Sequence, residues 1–415
     1  MVELYCYYGK DLVGTLSFDA SLRLKFSYHQ DWMNDSSAFP ISLSMPFSQE
    51  VYDHEISNPF FENLLPEETI RRTIGEKFKI PETNIFQFFN HFGDELAGAL
   101  AIHKEKPKTT LTYEGASLKE LEYDKVYSLI QNGQGLYSQI LTEHGMKFSL
   151  AGAQEKFPII FRDGKLWIPL DGQPTTHIIK ADMAFRNSQT VLNEYLVMKL
   201  AEQLGLITAQ VDVIPGDYPL FIIKRFDRTT EGGDRIHQED FCQAQAIPSQ
   251  LKYEDKGGPS FKNNYNFLKR FSRQPIRDLK QVLLWLGFNI LVGNNDNHSK
   301  NLSFLWDGKQ PALAPFYDLL STAVYSSRFD TRMAFHVGGT NQFDKLTSKK
   351  LTAFEKEMGL RPDVFVKLLR KLIDEVSKNI NDMDQAAKKL VPGSTIGRRL
   401  EDLIHSRCES IRKII

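Results

Sequence analysis

Two acidic residues and one amide stand at spacings suited to holding a phosphoryl group and its cations. Asp296 and Asn301 are separated by four residues in Gly293-Asn294-Asn295-Asp296-Asn297-His298-Ser299-Lys300-Asn301. Protein kinases use that D-x-x-x-x-N spacing. Their Asp receives the proton of the acceptor hydroxyl, and their Asn holds a magnesium ion. A second aspartate, Asp318, follows a strand-like stretch in Pro315-Phe316-Tyr317-Asp318, where a kinase places its other magnesium ligand. Together these are hard oxygen ligands for a two-metal phosphate site. The loop alone also fits a plain turn, since Asn, Asp and Ser satisfy local backbone groups.

Three further segments carry groups that a phosphate site needs. Small residues run from Ser149 to Ala153 and lead into an apolar strand, Phe157 to Phe161. Such a loop lets backbone N–H groups approach a phosphate, although it has one glycine and is no Walker A loop. Thr176 to Lys180 is a short β run ending in a lysine, and Gln189 to Leu204 reads as an amphipathic helix with Glu194 near its start. In kinases a strand lysine pairs with the phosphates and a helix glutamate orients it. A solvated strand end and first-turn dipole stabilisation are the plainer readings of Lys180 and Glu194. Lys224 to Arg228 would then connect two lobes.

The elements that must position these groups are legible in outline. The apolar run Val282 to Val292 delivers the Asp296 loop, and Leu302 to Trp306 leaves it as a strand. Near the N-terminus, Leu4–Tyr8, Leu12–Phe18 and Leu22–Tyr28 read as strands, with Pro40 to Pro46 another extended segment. Glu67–Phe78 and Pro81–Phe92 read as helices, and Leu96–His103 as a returning strand. Lys104 to Ser117 reads as a linker and Leu118 to Gly133 as a helix. Phe157–Phe161 and Lys165–Pro169 form a hairpin through Arg162-Asp163-Gly164. Lys262, Lys269, Arg270, Arg273, Arg277 and Lys280 read as a solvated helix face. Most of the chain beyond Leu351 reads as helix.

Composition bounds the class. The chain has 415 residues, 41% hydrophobic and 25% charged, with a net charge of −1. That is ordinary globular composition, with no global field toward nucleic acid or membrane. Three scattered cysteines form no zinc pattern. Met1 to Tyr5 lacks the start of a signal peptide, and no apolar run spans a bilayer, so a cytoplasmic protein is expected.

Taken together, these segments resemble the HipA family, the serine/threonine kinase toxins of bacterial toxin–antitoxin pairs. The phosphate loop resembles Ser149-Leu150-Ala151-Gly152-Ala153-Gln154-Glu155-Lys156, the lysine strand Thr175 to Lys180, and the hinge Lys224-Arg225-Phe226-Asp227-Arg228. The catalytic loop resembles Asp296 to Asn301, the second metal motif Phe316-Tyr317-Asp318, and the N-terminal subdomain Pro59 to Pro66.

The resemblance implies an α+β, two-lobed protein-kinase-like fold, distantly related to phosphoinositide kinases, with a β-rich N-terminal subdomain and a mostly helical C-terminal lobe. The expected divisions are residues 1–105, 118–228 and 229–415. It implies ATP and Mg2+ as cofactors. Asp296 would be the catalytic base, with His298 ordering its loop. Asn301 and Asp318 would hold magnesium, and Lys180 would pair with the phosphates. Residues Ala151, Gly152, Ala153, Gln154, Glu155 and Lys156 would cover the phosphates, and Lys224, Arg225, Phe226 and Asp227 would hold the nucleoside. Family members autophosphorylate a serine at the place of Ser149. The implied partners are a helix-turn-helix antitoxin (HipB-like), operator DNA mainly through it, and a protein substrate, an aminoacyl-tRNA synthetase with glutamyl-tRNA synthetase foremost. Other classes remain open from the residues: an antitoxin-binding corepressor, or a small-molecule or lipid kinase on the same fold.

Overall fold

A computed structural model describes residues 2–105, 117–131, 156–170, 173–183, 188–229, 234–306, 308–325 and 328–415. The chain divides into two compact units. Unit 1 takes residues 1–181, 223–249 and 303–311, and unit 2 takes 182–222, 250–302 and 312–415.

Unit 1 begins with an antiparallel sheet of order β4-β3-β2-β1-β5. Its strands are β1 (Val2–Tyr8), β2 (Asp11–Phe18), β3 (Leu24–Tyr28), β4 (Val51–Tyr52) and β5 (Leu100–His103). Gly14 on β2 is required by crowding: a Cβ there would lie 2.4 Å from Ser27 O and 2.6 Å from the Phe26 ring. Aromatic side chains bind the helices to this sheet. Phe61, on the helix His54–Glu62, meets Phe26 of β3 at 5.4 Å and Phe89 of the helix Ile85–Phe92 at 6.2 Å between ring centroids. Such pairs add to the burial that drives the packing.

A second set of antiparallel strands in unit 1 runs β6 (Leu118–Leu121), β8 (Lys165–Pro169), β7 (Lys156–Arg162), β9 (His177–Lys180). The β7–β8 hairpin turns at Asp163 and Gly164, both with positive φ, 53° and 72°. That is the twist two-residue hairpins favour. Two sequence expectations change here. Leu118 to Gly133 is not one helix: Leu118–Leu121 pairs with β8 as a strand, and the helix is Tyr123–Gln131. Pro40 to Pro46 is a turn, closed by Met45 N–H on Ser42 O at 3.0 Å. The linker expected from Lys104 to Ser117 falls mostly outside the described residues.

Buried charge fixes the rest of unit 1. Glu95 accepts hydrogen bonds from Arg225, Arg228 and Arg235 at 2.7, 2.7 and 2.6 Å, and from the Thr175 hydroxyl at 2.8 Å. Burial alone would raise this carboxyl, but the three guanidiniums outweigh it and hold Glu95 down at about 2. Asp227 completes the network, accepting from Arg225 Nε at 2.9 Å and from the Gly98 N–H at 2.7 Å.

Unit 2 is mostly helical. Its helices include Thr190–Gln203, Phe261–Phe271, Pro275–Val292, Val364–Asn379 and Ile396–Arg412. The Thr190–Gln203 helix is buried over most of its surface rather than along one stripe. On Phe261–Phe271, Lys262, Lys269 and Arg270 are exposed, as a solvated face requires. At Gly287 the Pro275–Val292 helix meets Val364–Asn379 closely. A Cβ there would lie 3.0 to 3.2 Å from Leu372, Leu368 and Leu369. Among the described residues no helix is long and apolar enough to cross a membrane.

One carboxyl in unit 1 makes stability depend on pH. Glu239, on the strand His237–Asp240, is fully buried and accepts from the Ser42 hydroxyl at 2.7 Å and the Leu43 N–H at 3.1 Å. Burial pushes it up from 4.5 to about 8, and the two donors only partly offset that. A raised carboxyl contributes fully below the unfolded value, and that contribution is lost as pH rises through the folded one. Urea unfolding of the wild type should therefore show stability falling from pH 4.5 toward pH 8. Glu239→Gln should flatten that slope, and an unchanged slope would assign it to other groups.

Candidate active site

The loop of Asp296 starts where a helix stops. The helix Pro275–Val292 ends at Gly293, which takes a left-handed conformation (φ 71°) and returns its N–H to Asn289 O. A Cβ at Gly293 would lie 2.7 Å from the Ala323 Cβ, so both conformation and space select glycine. Ala323 N–H donates to Gly293 O at 2.9 Å, and the Thr322 hydroxyl accepts from Asn295 N–H at 2.8 Å. Arg407 lies under this corner: its Nε donates to Ile290 O at 2.8 Å and its guanidinium rests 3.5 Å from the Phe343 ring centroid.

Asn294 joins the two predicted aspartates. Its Oδ1 accepts from Asp296 N–H at 3.1 Å, and its Nδ2 donates to Asn289 Oδ1 at 2.8 Å and to Asp318 O at 3.4 Å. Tyr317 adds a second tie, its hydroxyl donating to Lys300 O at 2.7 Å. Asn301 Nδ2 donates to Asp296 O at 2.9 Å, which leaves its Oδ1 as the atom able to face a cation. Asp318 itself has φ 54°, an uncommon conformation for a non-glycine residue. The preceding Phe316 is fixed on both sides. Its N–H and C=O bond Ile207 O and Ala209 N–H at 2.7 and 2.9 Å, and its ring stacks on Trp285. His298 N–H donates to Asp296 O at 2.9 Å, so Asp296, His298, Asn301 and Asp318 belong to one hydrogen-bonded frame.

The Asp296 side chain is half exposed, while His298 beside it is buried. Asp296 Oδ1 lies 3.9 Å from His298 Nε2 and accepts a hydrogen bond from the Tyr253 hydroxyl. Sequence reasoning missed Tyr253, which stands 43 residues upstream in a polar loop with no motif of its own. Glu194 is buried in the Thr190–Gln203 helix. Its neighbour Asn193 grips Ser321 by two bonds of 2.9 Å, which steadies the segment after Asp318.

In unit 1, Lys180 is buried at the end of β9, directly opposite Lys156 of β7. Like charges placed opposite each other across two strands are unfavourable by themselves. Lys224 ends the strand Leu220–Lys224. Burial, and then the Lys224 ammonium, hold His177 down at about 4. Arg225 and Asp227 put their side chains into the Glu95 network, so any grip they have on a nucleoside falls to backbone groups. Phe226 follows on the same short segment. Ser149, Ala151, Gly152, Ala153, Gln154 and Glu155 lie outside the described residues.

An α+β chain with this aspartate–asparagine–aspartate frame is kinase-like, and comparison with known proteins places it further. The model of the HipA N-terminal domain matches residues 4–103, and that of the HipA-like C-terminal domain matches residues 148–382. The chain belongs to the HipA family. It is 32% identical to the protein Y4mE of Sinorhizobium fredii, over 97% of this chain and 96% of that one. It is 28% identical to the serine/threonine-protein kinase toxin HipA of Shewanella oneidensis, over 92% and 89%. Among solved structures it resembles a chain from a complex of Shewanella oneidensis HipA, HipB and operator DNA. The TM-score is 0.81 at 26% identity, with 99% of both chains covered.

The frame depends on the turn at Gly293. Gly293→Ala should destabilise the protein by about 1–3 kcal/mol, the usual cost of a side chain held in a sparsely populated backbone region. Thermal unfolding measures this effect, and a variant as stable as wild type would show that the corner relaxes without strain.

Proposed function

We propose that this chain is a serine/threonine-protein kinase toxin of a toxin–antitoxin pair. It transfers the γ-phosphate of ATP to a serine of a protein. The observation that carries the reading is the frame in which Asn294 and Tyr317 tie the Asp296 loop to the Tyr317–Asp318 segment. In the transfer a bond forms between the serine oxygen and the γ-phosphorus, and the bond from that phosphorus to the oxygen of ADP breaks. Asp296 orients the serine hydroxyl and accepts its proton. Lys180 pairs with the ATP phosphates, beside Lys156. Magnesium held by Asn301 and Asp318 would neutralise charge on the phosphate oxygens. The loose transition state of phosphoryl transfer asks mainly for such positioning and neutralisation.

The family supports further parts of the reading. The antitoxin would be a HipB-like helix-turn-helix protein, with operator DNA bound mainly through it. The substrate would be an aminoacyl-tRNA synthetase, glutamyl-tRNA synthetase foremost, whose modification stops translation and growth. Ser149 would be an off switch. A phosphate there adds roughly −1.5 to −2 charge, which repels nucleotide.

The test is transfer of radiolabelled phosphate from ATP with magnesium to a panel of purified aminoacyl-tRNA synthetases. Label should appear on one synthetase and on Ser149 of the chain. Asp296→Asn should lower both by about 10²–10³, the usual loss when a charge-stabilising group is removed. Absence of label from the wild type, freed of antitoxin and unmodified at Ser149, would favour an antitoxin-binding corepressor. Ser149→Asp should weaken ATP binding in calorimetry, and wild-type affinity in that variant would remove the switch.

A further inference from the structure

Tyr253 is fastened against the catalytic loop more firmly than a loop tyrosine needs to be. Its hydroxyl donates to Asp296 Oδ1, and its ring meets the His298 imidazole edge-on, 5.0 Å between centroids at 84°. The ammonium groups of Lys252 and Lys256 lie 5.6 and 5.2 Å from the same ring. The segment around it is tied on every side. Ser299 N–H donates to Lys252 O at 3.3 Å, and Gly258 N–H to Tyr253 O at 3.0 Å. Glu254 accepts from the His336 N–H at 3.0 Å, and Asp255 from Asn341 Nδ2 at 2.6 Å. Gly258 makes the turn possible, since a Cβ there would lie 1.8 Å from Leu251 O.

This arrangement bears on a requirement of the chemistry. A general base must present one defined oxygen to the hydroxyl it serves. The terminal torsion of an aspartate is broad and roughly two-fold, so a half-exposed carboxylate left alone turns freely. Here Oδ1 takes the phenol and lies nearest His298, while Oδ2 makes no hydrogen bond to another described residue. We propose that Tyr253 is a positioning residue for phosphoryl transfer: its hydroxyl locks the Asp296 carboxylate with Oδ2 facing the acceptor hydroxyl. This rests on the kinase reading of Asp296.

The test uses the full chain with magnesium and radiolabelled ATP, counting phosphate moved to the protein and to water. Wild type, Tyr253→Phe, Asp296→Asn and the double variant are compared. Phenylalanine keeps the ring near both lysines and against His298, so the thermal midpoint should not move. The kcat of Tyr253→Phe should fall about 10–100-fold, the usual size of losing a hydrogen bond to a charged group, with KM for ATP unchanged. In the Asp296→Asn background the same change should have no further effect, because the tyrosine acts through the carboxylate. A wild-type kcat in Tyr253→Phe would overturn the proposal, as would an equal loss in both backgrounds. A raised kcat would also overturn it, since the phenol would then be standing in the acceptor's place. Asp296→Asn as active as wild type, or a wild type that transfers no phosphate, would instead remove the kinase reading itself.

Discussion

The left-handed turn at Gly293 is the constraint on which the candidate active site depends. An 18-residue helix, largely buried, must stop within one residue and turn its chain toward the loop. Glycine alone takes that φ without penalty and leaves room for Ala323. Once the turn is made, Asn294 stands where its amide can serve three partners at once: Asn289, Asp296 and Asp318. The hydrophobic grip of the helix on Phe316, through Trp285, fixes the other side of the same frame. Core packing and loop geometry are therefore coupled.

Unit 1 solves a different problem. Its N-terminal residues and its hinge segment are far apart in sequence, and a buried carboxylate joins them. Glu95 faces Arg225, Arg228 and Arg235, while Asp227 binds Arg225 and the Gly98 N–H. A buried ion network is weak evidence for net stability, but its geometry is unforgiving, because removing one partner leaves charge uncompensated. The side chains of Arg225 and Asp227 are consequently held by partners inside the unit. Arg225 and Asp227 carry chemistry-bearing side chains, yet that chemistry is directed inward.

That inward direction marks the limit of what the sequence discloses. The aspartate–asparagine spacing was legible because a short loop encodes it in neighbouring residues. The hairpin at Asp163 and Gly164 was legible for the same reason. That Arg225 and Asp227 turn their side chains into a buried network was not legible, because Glu95, which Arg225 bonds, lies 130 residues upstream of it. Leu118 to Leu121 looked helical because its strand partner, β8, begins only at Lys165. Tyr253 was invisible, since nothing local distinguishes it from other loop aromatics. Each difference comes from a partner distant in sequence, which periodicity and local propensity do not report.

The choice of groups in the frame also follows from the chemistry. The backbone of the loop is held by the amides of Asn289, Asn294 and Asn301 and the hydroxyls of Thr322 and Tyr317. An amide holds geometry as firmly as an ion pair at these distances and adds no charge. The phenol of Tyr253 is another neutral group in this setting, donating to one oxygen of Asp296. Neutral amides and hydroxyls thus fix the backbone on both sides of Asp296 and Asp318 while adding no charge of their own.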